Sequence, residues 1–171
     1  MLFRSPANIS LLLGLTYTAS SGTPLSYLGS HITYGPGEAY IMQRGAAGRT
    51  PWVHEVSLKG GLGYQINKSY GIALTVDVLN LLNFAAATSL DENFTQQSVL
   101  PYTLAAGETP QGALCIGGNV APTCKTNVVR IDPDDPTILT ALTTKQYSSN
   151  FKQPTGYQAP RQFRFGIKFT F

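Results

Sequence analysis

The chain is poor in charge. Of its 171 residues only 12% are Asp, Glu, Lys or Arg, about half the usual share of a soluble domain. It has two cysteines and two histidines. Cys115 and Cys124 have no histidine near them, so a zinc site lacks its ligands, and no other metal or cofactor is expected. The net charge of +3 is small and spread along the chain, which leaves no basic patch for nucleic acid. Long apolar runs are missing too. Residues 11–13, with Ile9 and Leu15, form the greasiest stretch, whereas a spanning helix needs about 20 such residues. His31 and His54 stand without a nucleophile and an orienting acid, which removes triad chemistry. Gly60, Gly61 and Gly63 precede no helical pattern, so the context of a phosphate loop is absent; within a strand they relieve crowding at a bend. No enzyme is expected.

What the chain does have is alternation. In residues 161–171, Phe163, Phe165, Ile167, Phe169 and Phe171 fall on one side; Gln162, Arg164, Gly166, Lys168 and Thr170 fall on the other. Side chains of a strand alternate with a period of two, so this segment has one apolar and one polar face. Three more segments share the pattern, giving about four strands at 8–18, 52–66, 70–82 and 161–171. A mean hydropathy near zero with 11% aromatics suits a wet interior and an apolar exterior. It suits a secreted β-sandwich equally well. The beginning of the chain also imitates a signal peptide, with Arg4, then residues 9–15, then small residues near Ala19. Ser10 and Gly14 interrupt that core, and a strand is the preferred reading. Without a leader the chain is expected to be the tail of a longer protein.

The connections are uneven. Asn67-Lys68-Ser69 makes a tight turn, while 19–51 and 83–160 are long loops, the second holding seven of the eleven prolines. Short turns on one side and long loops on the other are the pattern of outer-membrane barrels, with the long loops outside. Trp52 and Tyr64 lie twelve residues apart on one face. At ~3.3 Å per residue and a tilt of ~45° they stand about 28 Å apart along the membrane normal, close to the ~25 Å apolar band between aromatic girdles. The expected fold class is therefore all-β, an incomplete antiparallel transmembrane β-barrel with long extracellular loops. Four strands enclose nothing. Open margins in lipid cost on the order of tens of kcal/mol, more than a domain's whole stability, so other strands must complete the sheet.

Four motifs in order then carry a resemblance: Ser20-Ser21-Gly22-Thr23-Pro24 before the first loop, Gly48-Arg49-Thr50-Pro51-Trp52 after it, Asp77-Val78-Leu79-Asn80-Leu81-Leu82-Asn83, and the run from Pro160 to Phe171. Together they resemble the C-terminal end of TonB-dependent outer-membrane receptors, above all the Oar-like subgroup with a carboxypeptidase-regulatory-like extension. The resemblance covers roughly half of the chain; the stretch from Ala85 to Tyr157 matches nothing. It implies a wall segment of a 22-stranded barrel with a plugged lumen, part of an energy-coupled nutrient transporter in the bacterial outer membrane. The implied partners are outer-membrane lipid, the remaining strands and plug, and the barrel-assembly machinery, which would read the terminal strand (Phe163, Phe165, Ile167, Phe169, Phe171). TonB would act only through the plug. Residues 1–171 contain no plug domain, so this segment alone is not expected to transport. Two alternatives stay open: a secreted β-sandwich binding module, and a four-stranded subunit of a trimeric outer-membrane barrel.

Individual residues sharpen these expectations. An oxidising exterior makes a Cys115–Cys124 disulfide the natural state. Tyr27, Tyr34 and Tyr40 make the first loop aromatic and either contact a ligand or pack within the loop. Asp132, Asp134 and Asp135 alternate with prolines; calcium is one reading, and a solvated, proline-stiffened turn is preferred. Glu55, Lys59, Asp77, Arg164 and Lys168 point to the lumen by parity and are expected to pair across strands. His54 falls on the outward face near the outer girdle.

Overall fold

A computed structural model of the chain describes residues 2–4, 8–67, 69–117 and 123–171, with side chains from residue 8 onward. It divides into two compact units, each considered by itself.

The first unit joins Met1–Ser21, Pro51–Ala86 and Tyr157–Phe171. It is one antiparallel sheet of β1 (Leu2–Arg4), β2 (Ile9–Ser20), β3 (Val53–Gln65), β4 (Gly71–Leu79) and β5 (Gln162–Thr170), in that spatial order. The four expected strands are thus present, shifted by one to three residues at their ends. β1 is an addition to the expected four. It pairs Leu2, Phe3 and Arg4 with Leu12, Leu11 and Ser10, and three residues are too few to show a period. The sheet is open: among the described residues no strand pairs the outer margin of β5, and β1 covers only a short part of β2. No closed barrel forms among the described residues.

Why β4 stops at Leu79 is visible locally. Asn80 and Asn83 have φ of 49° and 55°, the left-handed region that Asn tolerates and a β-branched residue does not. The buried Asn80 amide donates to the carbonyls of Phe84 and Ala159, both at 2.8 Å, and its oxygen accepts from Phe84 N at 2.9 Å. The expected strand to residue 82 is therefore cut short by an Asn-built turn. At the other end, Asn67 Oδ1 accepts from the amides of Ser69 and Tyr70 at 2.9 and 2.8 Å, an Asx turn. Lys68 of the expected turn lies outside the described residues. The glycines interrupt no pairing. The β2–β3 register runs unbroken from Ile9↔Tyr64 to Ser20↔Val53, with no bulge. A Cβ at Gly63 would lie 2.4 Å from Ser10 Oγ, and one at Gly61 3.2 Å from Leu12 Cβ, so these two make room for β2 side chains.

The second unit joins Gly22–Thr50 and Ala87–Gly156, most of the two segments read from sequence as loops. They carry strands of their own: Leu28–His31 lies between Gly35–Tyr40 and Asn93–Ser98, and Val129–Ile131 pairs with Leu139–Ala141. They also share a core that includes Leu25, Tyr27, Ile41, Phe94, Leu114 and Leu142. Its centre is aromatic. Phe94 packs edge-on against Tyr27 (5.3 Å between centroids) and Phe151 (5.1 Å), and tilted against Tyr147 (4.3 Å).

Candidate functional site

The sheet of the first unit has two unlike faces, and the register explains both. Leu11, Leu62, Leu74 and Ile167 form one row across β2 to β5; Leu13, Gly60, Val76 and Phe165 form the next; Leu15, Leu58, Val78 and Phe163 a third. Period-two alternation on each strand has become a continuous apolar surface, and it is uncovered: Leu15 is 70% exposed and Phe165 78%. Contiguous apolar patches across several strands are rare on soluble monomers and mark contact with protein or membrane. The five terminal-strand residues, Phe163, Phe165, Ile167, Phe169 and Phe171, all lie among the exposed apolar side chains.

Aromatic rings bound this surface at both ends. At one, Trp52 and Tyr17 each stack with His54, at 6.3 and 6.1 Å. The Tyr17 hydroxyl also meets His54 Nδ1 at 2.9 Å. At the other, Tyr64 stands on β3, and Tyr70, Phe169 and Phe171 line a shallow groove with Ile66 and Ile72. Amphipathic rings at two levels flanking an apolar band are what a bilayer's two interfaces select.

The opposite face is small and polar. Gly14, Lys59, Asp77 and Arg164 share one row. Lys59 Nζ lies 3.0 and 3.3 Å from the two carboxylate oxygens of Asp77. Glu55 accepts from Ser57 Oγ at 2.8 Å. Of the expected cross-strand pairs only Lys59–Asp77 is made among the described residues. Arg164 stands in register with Asp77 and Lys168 with Ala73, with no ion pair of their own.

The four sequence motifs meet two by two. In the second unit Pro24 pairs with Arg49 and Leu25 with Gly48. Thr23 N donates to Thr50 Oγ1, Thr50 N to Thr23 O, and Arg49 Nε to Gly22 O, all at 2.9 Å. A Cβ on Gly22 would lie 1.7 Å from Thr50 O, so only glycine fits there. In the first unit Arg161 N donates to Asn83 Oδ1 at 2.9 Å, beside the Asn80–Ala159 bond. The motifs are clasps at loop shoulders, and no local pattern announces that they pair.

The three loop tyrosines separate. Tyr27 is 1% exposed and stacks on Phe151 at 5.1 Å, so it is a core side chain and cannot touch a ligand. Tyr34 is exposed, tilted against His31 at 4.7 Å. Tyr40 is exposed and carries Arg44 over its ring at 5.6 Å. Asp132 and Asp135 are engaged in their own turn: Asp132 Oδ1 accepts from Asp134 N at 3.0 Å, and Asp135 Oδ1 from Thr137 N at 3.0 Å and Thr137 Oγ1 at 2.6 Å. Those Thr137 bonds hold the Asp135 carboxyl below its ordinary range.

Cys115 and Cys124 are joined by a disulfide. The ring they close is short, and in the chain-entropy view its removal (Cys115→Ser with Cys124→Ser) should cost this unit roughly 2–3 kcal/mol. The expected readout is faster hydrogen exchange at the amides of Ile116 and Asn127, which bond Gln111 O and Ala113 O, with no change at β3 and β4. Equal exchange in both proteins would remove the bridge from the stability of the unit.

Among known proteins, no family profile matches the chain and no solved structure does. A curated relative does. The TonB-dependent transporter Oar of Myxococcus xanthus is 36% identical over 163 residues, 95% of this chain and 14% of that protein. The resemblance to Oar-like TonB-dependent receptors thus holds along nearly the whole chain, including the stretch that no motif covered. The chain spans about one seventh of its relative's length.

Proposed function

We propose, from that kinship, that this chain is a wall segment of a TonB-dependent transporter in the bacterial outer membrane. The apolar face of β2 to β5 meets hydrocarbon, the polar face lines the lumen, and the unit of Gly22–Thr50 and Ala87–Gly156 stands outside the cell. Energy-coupled nutrient uptake is then the work of the full receptor. This segment supplies part of its wall and outer surface and transports nothing alone. Strands from the rest of the receptor complete the two open margins, a plug fills the lumen, and TonB acts through that plug. The assembly machinery of the outer membrane reads the strand of Phe163, Phe165, Ile167, Phe169 and Phe171.

One observation carries this reading: the uncovered apolar rows that run across four strands in register. A β-sandwich would lay a second sheet on those rows, and no described residue of the first unit does so. No helix among the described residues is long and apolar enough to cross a membrane, a finding that does not bear on strands. Fractionation tests the proposal. Produced in a Gram-negative host as part of the full receptor, the chain should sediment with outer membranes, resist high salt and alkaline carbonate, and be released by detergent; produced alone with a secretion leader, its open margins should leave it aggregated and dispersed only by detergent. Recovery as a buffer-soluble monomer from the periplasm overturns the proposal in favour of a secreted module. A detergent-stable trimer on cross-linking would place the missing strands on further copies.

A further inference from the structure

The unit of Gly22–Thr50 and Ala87–Gly156 holds a groove of about 620 Å³, within the ~300–1,000 Å³ of small-molecule sites. Its floor is apolar and firmly packed: Ala39, Met42 and Val99 line it and are almost fully buried. Tyr40 and Tyr102 add aromatic surface, and the exposed Ile32 and Leu100 extend the apolar lining. A few polar groups stand among them, as such sites require to orient a ligand. Glu38 is the one carboxylate of the lining, and the side chains of Glu38 and Gln43 have no hydrogen-bond partner among the described residues. The Arg44 guanidinium lies over the Tyr40 ring, and the Glu38 carboxylate gives the groove its preference for hydrogen-bond donors.

The Tyr102 side of the groove is set before any ligand arrives. Tyr102 N donates to Ile41 O at 2.6 Å, and its hydroxyl donates to Glu108 Oε2 at 2.7 Å. Glu108 also accepts from Ala105 N at 3.0 Å and Asn127 Nδ2 at 2.6 Å. The Ala105 amide, then the Tyr102 hydroxyl, hold the Glu108 carboxyl below its ordinary range. Side chains fixed in this way lose little entropy on binding.

We propose that this groove binds a small amphipathic molecule, its apolar body over Met42 and against the two tyrosines, its hydrogen-bond-donating head at Glu38. Only the side from which such a molecule arrives rests on the membrane reading above, because the groove lies within one unit. Met1 and Met42 are the two methionines of the chain, which gives a selective probe. The full chain, labelled with ¹³C-methyl methionine and folded in detergent, is titrated with 4-phenylbutylamine, 4-phenylbutanol and 4-phenylbutyrate. The Met42 methyl signal should move saturably while that of Met1 stays. The amine should bind at least fivefold more tightly than the carboxylate, with the alcohol between. Glu38→Gln should abolish that preference; Glu38 is exposed, so the variant keeps the fold. A Met42 signal that never moves, equal movement of both methyls, or a preference that survives Glu38→Gln overturns the proposal. Were the chain soluble in buffer without detergent, the membrane reading would fail and the same titration would still decide this one.

Discussion

In the full receptor, Phe165→Arg is expected to cost about 2–4 kcal/mol and to remove most folded protein from the outer membrane. Phe165 shares its row with Leu13, Gly60 and Val76. On β3 that row lies four residues from Tyr64 and six from His54, well between the two aromatic levels. A lipid-facing Arg at such depth carries the midplane penalty of about 2–4 kcal/mol. In water the expectation reverses, because Phe165 is 78% exposed and an exposed substitution changes stability by less than about 0.5 kcal/mol. One residue thus separates hydrocarbon from solvent. Thr16→Arg is the control. Thr16 is exposed on the polar face, opposite Ser57, and its replacement should leave the folded fraction unchanged. The measurement is the folded band on unheated gels of isolated outer membranes. Equal bands for Phe165→Arg and the unmodified chain would mean that this face meets no lipid.

The sheet of the first unit was legible because its information is local. On β2, β3, β4 and β5 each apolar residue repeats at every second position, and the cross-strand rows follow once hairpin order is known. Asn80 was legible as part of a motif but not as a stop, since its role lies in bonds to Phe84 and Ala159, the latter far along the chain. Lys59–Asp77 followed from parity; that Arg164 and Lys168 make no ion pair among the described residues did not, because parity places charges on a face without setting the reach of their side chains. Tyr27 stood open between ligand contact and packing within the loop for a related reason. Leu25, Ser26 and Tyr27 are buried in succession, so no period marks the ring as a core side chain. The remainder of the second unit was beyond periodicity. Its strands run from two to six residues, and its core is assembled from positions as distant as Tyr27, Phe94 and Phe151.

That assembled core predicts the other large effect. Phe94→Ala should cost about 3–5 kcal/mol, the usual range for truncating a buried Phe. Phe94 is 2% exposed and touches three rings, Tyr27, Tyr147 and Phe151, contacts that add to its burial. A loss of this size is a large part of a domain's ~5–15 kcal/mol, so the unit should loosen while β2 to β5 keep their register. Tyr147 reports the change. Burial pushes its hydroxyl up to about 12, and that hydroxyl donates to Leu114 O. With the ring of Phe94 gone, water reaches Tyr147, and its pKa should fall toward the ordinary value of about 10. An NMR titration of the tyrosine rings resolves this residue from the other tyrosines. Were the two long segments solvated ribbons, the substitution would change stability by less than about 0.5 kcal/mol and Tyr147 would titrate near 10 in both proteins. A folded unit and a pair of floppy loops present different surfaces to whatever approaches from outside, and only the folded one can hold Met42 and Tyr102 in place as parts of a site.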